Sequence, residues 1–138
     1  MSKSDDDYPR EVVRNSEEDL EPGDIVRVDF PHLRPKKDAT GNIIETSKER
    51  PALIIYKEKK QIVVAYISSV LPDSLNPADV LVLGTDASFK STGLDTSSVI
   101  RLGVLVTIKL NDVIGWYGLV DDALRNEINA KLSACFRI

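Results

Sequence analysis

The chain has one cysteine and one histidine in 138 residues. A lone Cys135 can form no internal disulfide and no cysteine metal cluster, and with one histidine as well a zinc site is not expected. No metal and no cofactor is therefore expected. No apolar run approaches the roughly 20 residues needed to cross a bilayer. The start, Met1-Ser2-Lys3-Ser4-Asp5, has no apolar core of a secretory signal. No internal repeat or low-complexity tract is present. These absences lead to the expectation of a cytoplasmic protein that does not engage membranes.

What remains has the balance of a soluble globular domain, with 29% charged and 42% apolar residues. The length fits one domain with a core large enough to need no staple. The net charge of −4 is unevenly spread. Residues 1–22 hold three basic and eight acidic side chains, which leaves the rest of the chain slightly positive. Within that rest, residues 34–60 carry eight basic side chains against four acidic ones. Such a flank can steer a polyanion, although a solvated loop has the same composition.

The charge and lack of hydrophobic period at 1–22 suggest an acidic, mostly disordered tail with a short helix toward its end. Pro22-Gly23 marks a turn, and the folded domain is expected over 23–138. Residues 24–30 alternate, with Val26, Val28 and Phe30 on one face and Arg27 and Asp29 on the other. That pattern predicts a half-buried strand. Residues 31–49 read as a long polar loop, with Pro31, Pro35 and a Gly41-Asn42 turn. Further strands are expected at 52–56, 62–70, 79–83, 98–110 and 113–117. Only the end has helical spacing: Leu124, Ile128, Leu132, Cys135 and Phe136 form one stripe, read as core packing, with Asp121 or Asp122 as the cap. The expected class is mainly β, a small closed barrel of five to seven strands with a C-terminal helix.

Within this order, Arg50-Pro51 stands at the entrance of an apolar strand. Proline restricts the backbone of the residue before it, which narrows where the guanidinium points. A placed guanidinium is a rigid fork of donors suited to phosphate; a surface ion pair is the plainer alternative.

Several segments align in order: Gly23-Asp24-Ile25-Val26-Arg27-Val28-Asp29-Phe30-Pro31, then Arg50-Pro51-Ala52-Leu53-Ile54-Ile55, then Ala65-Tyr66-Ile67-Ser68-Ser69. Ser91-Thr92-Gly93-Leu94-Asp95-Thr96-Ser97-Ser98-Val99-Ile100-Arg101-Leu102 and Ile114-Gly115 follow. In this order the chain resembles the MazF/PemK/Kid family of type II toxin–antitoxin toxins, nearest its PemK-like branch, over roughly residues 22–136. The resemblance implies an SH3-like barrel that forms a homodimer. It implies a metal-independent endoribonuclease, an mRNA interferase, that cleaves single-stranded RNA by attack of a 2′-OH. It also implies a cognate antitoxin partner.

The resemblance carries over to particular residues. Arg50 matches the family arginine and is expected to bind phosphate and stabilise the transition state. Ser68 falls where the family commonly has a catalytic threonine, though a strand-end serine can equally cap a turn. Arg101 matches a catalytic arginine of some members, or is an ordinary barrel-exterior arginine. The acidic residue often found two positions later is Gly103 here. His32 is the only side chain whose ordinary titration lies near neutrality, which makes it an acid–base candidate against a histidine bonded to backbone. Lys36, Lys37, Lys48 and Ser69 are expected to contact RNA. Trp116-Tyr117 could stack bases or serve the core. A non-catalytic barrel protein, either a gyrase poison or a decayed toxin, is the competing reading. The acidic tail is further expected to cover the basic groove as an antitoxin mimic.

Overall fold

The computed structural model describes residues 14–138, and their side chains except at 32–35 and 44–46. Most of the acidic tail, and with it the expected antitoxin mimicry, lies outside the described residues. Six antiparallel strands form one curled sheet: β1 (Asp24–Lys37), β2 (Ile43–Glu58), β3 (Gln61–Ser68), β4 (Asp79–Val82), β5 (Ser98–Lys109) and β6 (Gly115–Leu119). A short helical turn, α1 (Phe89–Thr92), precedes β5, and α2 (Asp122–Cys135) closes the chain. The spatial order is β4-β5-β3-β2-β1-β6. The mainly β barrel with its C-terminal helix is thus as expected.

Alternation decides the strands, and bulges decide the curl. Val26, Val28 and Phe30 are buried while Arg27 and Asp29 face solvent. On β5, Arg101 pairs with Tyr66 but Leu105 pairs with Ala65, so residues 102–104 form an insertion in the ladder. Such insertions bend a strand and raise its twist. The bent sheet encloses two apolar clusters. One contains Ile25, Leu53, Ile67, Ile100 and Leu102 with Leu124 and Ile128 of α2. The other gathers Val26, Val28, Ala52, Ile54 and Val64, and is sealed by Leu20 and Leu110.

Three expectations change. The segment 31–49 is not a loop: β1 and β2 run on as a long hairpin, pairing Pro31 with Ser47 and Lys37 with Ile43. Its tip is held by Asp38, whose Oδ1 accepts from the N–H groups of Thr40 (2.9 Å) and Asn42 (3.0 Å), with Gly41 at φ 88°. Its described side chains 36–43 are all exposed, so no half-buried face imprinted an alternation on the sequence.

The stripe on α2 is shorter than its spacing suggests. Asp121 does cap the helix, accepting from the Leu124 N–H at 2.9 Å. Leu124 and Ile128 are buried and Leu132 packs beside them. Cys135 is exposed, however, and Phe136 is 48% exposed. The period persists through the last turn, but no buried residue lies there.

Residues 14–20, expected within the disordered tail, are strapped to the barrel. A 3-10 turn at Glu17–Asp19 delivers Leu20 into the core at 3% exposure. Lys57 Nζ donates to the carbonyls of Glu18 (2.8 Å) and Leu20 (2.9 Å), and Lys60 pairs with Glu18. Arg14 donates from Nε (3.0 Å) and Nη2 (2.8 Å) to the Asp24 carboxylate, which is 1% exposed. That carboxylate also accepts from the Glu21 N–H (2.7 Å) and the Trp116 indole (3.2 Å). Trp116 thus spends its polar edge on Asp24 and lies beneath Arg14, whose guanidinium is 5.8 Å from the ring centroid.

Candidate active site

The last pair between β2 and β3 is Ala52 with Tyr66. Beyond it the two strands part, and a cavity of about 250 Å³ opens between them. Residues 48–51 of β2 form one wall. Ile67 and Ser69 form another, and Asp95, Thr96 and Ser98 the third, with Leu94 and Tyr117 also in the lining.

Arg50 lines this cavity, and its guanidinium rests 5.2 Å from the centroid of the Tyr66 ring. Paired residues of antiparallel strands share a face, and faces alternate along a strand. Arg50 therefore shares the face of Ala52 and, through it, of Tyr66. Tyr66 packs against Phe30 at 5.2 Å between ring centroids, which fixes the platform under the cation. Arg101 stands directly opposite Tyr66 on the other side. An Arg50–Tyr66–Arg101 row thus crosses three strands on one face. Tyr66 was not singled out in the sequence; its place two residues before Ser68 was the available signal.

Arg101 does not line the cavity. Its Nε lies 3.4 Å from Asp79 Oδ1, a carboxylate at 3% exposure that also accepts from the Asn76 N–H at 2.8 Å. It neutralises a buried charge while keeping a third of its side chain exposed. Gly103 sits in the β5 insertion, where an added Cβ would meet nothing within 4 Å. A carboxylate would fit there, and this chain has none.

The two serines divide differently from the expectation. Ser68 is buried, and its Oγ accepts from the Val70 N–H at 3.1 Å, closing the turn after β3. Ser68 therefore takes the capping role, and Ser69 is the hydroxyl residue that lines the cavity beside Arg50. The strand ends at Ser68, so the next side chain turns the other way.

Of the expected RNA contacts, Lys48 is exposed and lines the cavity, whereas Lys36 and Lys37 stand further out near the hairpin tip. His32 falls in β1, but its side chain lies outside the described residues. Among the described residues no group of three His, Cys, Asp or Glu is placed to hold a metal. None of their helices is long and apolar enough to cross a membrane.

The third wall is held in place by close packing. Gly93 adopts φ 71°, and a Cβ there would strike the Tyr117 carbonyl; a Cβ on Gly118 would strike that of Ser91. The two glycines let α1 press against β6. Leu94 is then buried, its N–H reaching Thr92 Oγ1 at 3.2 Å, and Ser98 Oγ donates to the Thr96 carbonyl at 2.9 Å. The segment between, Asp95-Thr96, is thereby presented to the cavity. No local feature of the sequence assigns Asp95, Thr96 or Ser98 a role, because nothing in this stretch says which strand they face.

The sequence matches the PemK-like, MazF-like toxin family of type II toxin–antitoxin systems over residues 21–136. The chain belongs to this family. Solved structures with a similar fold include an endoribonuclease from Mycobacterial species in complex with its cognate antitoxin, at TM-score 0.58 and 16% identity, covering 82% of this chain and 90% of that one. An endoribonuclease from Mycobacterial species aligns at TM-score 0.55 and 16% identity, over 81% and 86% of the two chains. The Mycobacterium tuberculosis toxin MazF-mt6 aligns at 0.52 and 18% identity, over 78% and 93%. At these identities the likeness speaks for the fold. No curated protein matches the sequence. In this MazF-like toxin Arg50 stands at the cavity, and Arg101 lies outside its lining, across Tyr66.

Proposed function

We propose that this toxin is a metal-independent endoribonuclease that cuts single-stranded RNA. Family membership supports this over a gyrase poison on the same barrel, and the observation that carries it is Arg50. Its guanidinium is held on an aromatic platform at the edge of a cavity that has the hydroxyl residue Ser69 in its lining.

In the reaction the 2′-oxygen attacks the adjacent phosphorus and loses its proton, and the bond to the 5′-oxygen breaks. The products are a 2′,3′-cyclic phosphate and a 5′-hydroxyl that has gained a proton. Charge builds on the non-bridging oxygens, where a preorganised fork of donors is most effective. Arg50 supplies that fork, while Arg101, paired with Asp79, stands across Tyr66 from it. Ser69 hydrogen-bonds a phosphate oxygen. Lys48 neutralises a neighbouring phosphate, and Lys36 and Lys37 extend the track along the hairpin.

A cognate antitoxin and a second copy of the toxin belong to the same reading. Beyond Arg101 the outer edge of β5 has no strand partner among the described residues, and Leu105 there is 38% exposed. Such an edge is suited to a partner. The cytoplasm, where RNA is translated, is the proposed site of action.

Incubation of the protein with a long single-stranded RNA in EDTA should yield cyclic-phosphate ends with the wild type and none with Arg50→Ala. Absence of cleavage at every protein concentration would sink the proposal.

A further inference from the structure

We propose that the cavity beside Arg50 takes a guanine base of the RNA and that Asp95 is the residue that reads it. This deepens the endoribonuclease reading, on which it rests, by naming the base bound at the same site.

The cavity has the make-up of a base pocket. Pro51, Ile67, Leu94 and Tyr117 contribute to its walls, and single-stranded RNA is recognised by splaying bases onto apolar and aromatic surfaces. At about 250 Å³ it has room for a flat purine. Lys48 and Arg50 stand on the β2 side, where the phosphates flanking an inserted base would pass.

Its polar groups are unequal. Ser98 already donates its hydroxyl to the Thr96 carbonyl. Glu49, one of two carboxylates in the lining, lies 3.5 Å from Arg27 Nε. Asp95, the other, is exposed and has no hydrogen bond or ion pair among the described residues. It is nonetheless well positioned, because Leu94 before it is buried and the glycine contact of α1 with β6 fixes the segment.

An ionised carboxylate only accepts hydrogen bonds, and it can accept two side by side. Guanine alone among the four RNA bases presents two adjacent donors on its Watson–Crick edge, N1–H and N2–H₂. Adenine and cytosine place a ring-nitrogen lone pair beside their amino group. Uracil has a single N–H between two carbonyls. A lone carboxylate on the rim therefore favours guanine and repels the other three.

The test uses the full chain and four short single-stranded RNAs, a uridine hexamer and the same hexamer with one central guanosine, adenosine or cytidine. Each carries 2′-fluoro ribose in place of ribose so that none can be cut, and binding is followed by fluorescence anisotropy. The guanosine hexamer should bind wild type more tightly by roughly 5- to 100-fold, the range of one bidentate base contact. In Asp95→Asn that preference should vanish while binding of the uridine hexamer does not weaken. Since Asp95 is exposed and bonds nothing among the described residues, the substitution should leave the thermal midpoint unchanged. Lys48→Ala should weaken all four hexamers alike. Equal binding of the four by wild type, or a guanosine preference that survives Asp95→Asn, overturns the proposal. Because the hexamers cannot be cut, this outcome is independent of the EDTA cleavage assay. A protein that selects guanosine but cuts no RNA would refute the nuclease reading alone.

Discussion

The guanidinium of Arg50 lies 5.2 Å from the centroid of the Tyr66 ring, and Tyr66 stands opposite Arg101 on the neighbouring strand. The aromatic ring thus separates two cations on one face of the sheet and holds the nearer one in place.

Arg50→Lys keeps the charge but loses the planar fork and its stacking. Single-turnover cleavage should fall by roughly 100-fold or more, with little change in the thermal midpoint. Tyr66→Leu removes the platform and should cost about fivefold, in line with a cation–π contact of ~1 kcal/mol. A Tyr66→Leu variant as fast as wild type would show that the stacking does not position the arginine.

The serine pair should separate stability from activity. Ser68→Ala removes the acceptor that closes the turn at Val70 and should lower stability by about 1 kcal/mol. Ser69→Ala should leave the denaturation midpoint in place and slow cleavage. The reverse pattern would restore Ser68 as the reacting residue's neighbour.

A chain beginning at Pro22 loses both Leu20 and Arg14. Exposing the site that Leu20 fills should cost about 2 kcal/mol, and Asp24 would keep a buried charge without its cation, a further loss of about 2–3 kcal/mol. A chain beginning at Arg14 keeps both and should unfold at a higher urea concentration than one beginning at Pro22. Equal midpoints for the two truncations would show that the strap is incidental.

The Glu18–Lys60 clasp gives the strap a pH dependence. Lys60 holds the Glu18 carboxyl below its ordinary range, and Glu18 holds the Lys60 ammonium above its own. A lowered acid stabilises the fold above its unfolded value, and that contribution is lost as pH falls through the folded value. A raised base stabilises below its unfolded value, and its contribution is lost as pH rises through the folded one. The clasp is therefore complete at neutral pH and opens at both extremes. Both side chains are exposed, so the effect is small and salt-sensitive. Protection of the amides of residues 17–20, taken against the intrinsic exchange rate at each pH, should fall in acid at low salt, and Lys60→Met should abolish that acid response.

Gly118→Ala would drive a methyl into the carbonyls of Ser91 and Thr92. The expected cost is about 1–3 kcal/mol, with loss of RNA binding beyond that of an equally destabilised core variant, because the wall bearing Asp95 would shift. Calorimetry paired with anisotropy would read the two effects separately.

The local features were legible because their causes are local. Alternation at 24–30 reflects a strand with one wet face, and Asp121 before a helical period reflects the demand of a helix N-terminus for an acceptor. Arg50 stood out because proline acts on its immediate neighbour. The hairpin at 31–49 was hidden because its tip, residues 36–43, is exposed on both faces and carries no alternation. Cys135 misled because periodicity reports which face a residue occupies and not whether anything covers that face.

What the sequence determined by itself was the mainly β order, the terminal helix and the placed arginine, each set by residues within a few positions of one another. The tertiary structure decided which side chains share the cavity. The bend in β5, the parting of β2 from β3 and the glycine contact of α1 with β6 bring Arg50, Ser69 and Asp95 to one place. Residues so far apart in the chain meet only through pairing register and close packing, and neither is written in any single segment.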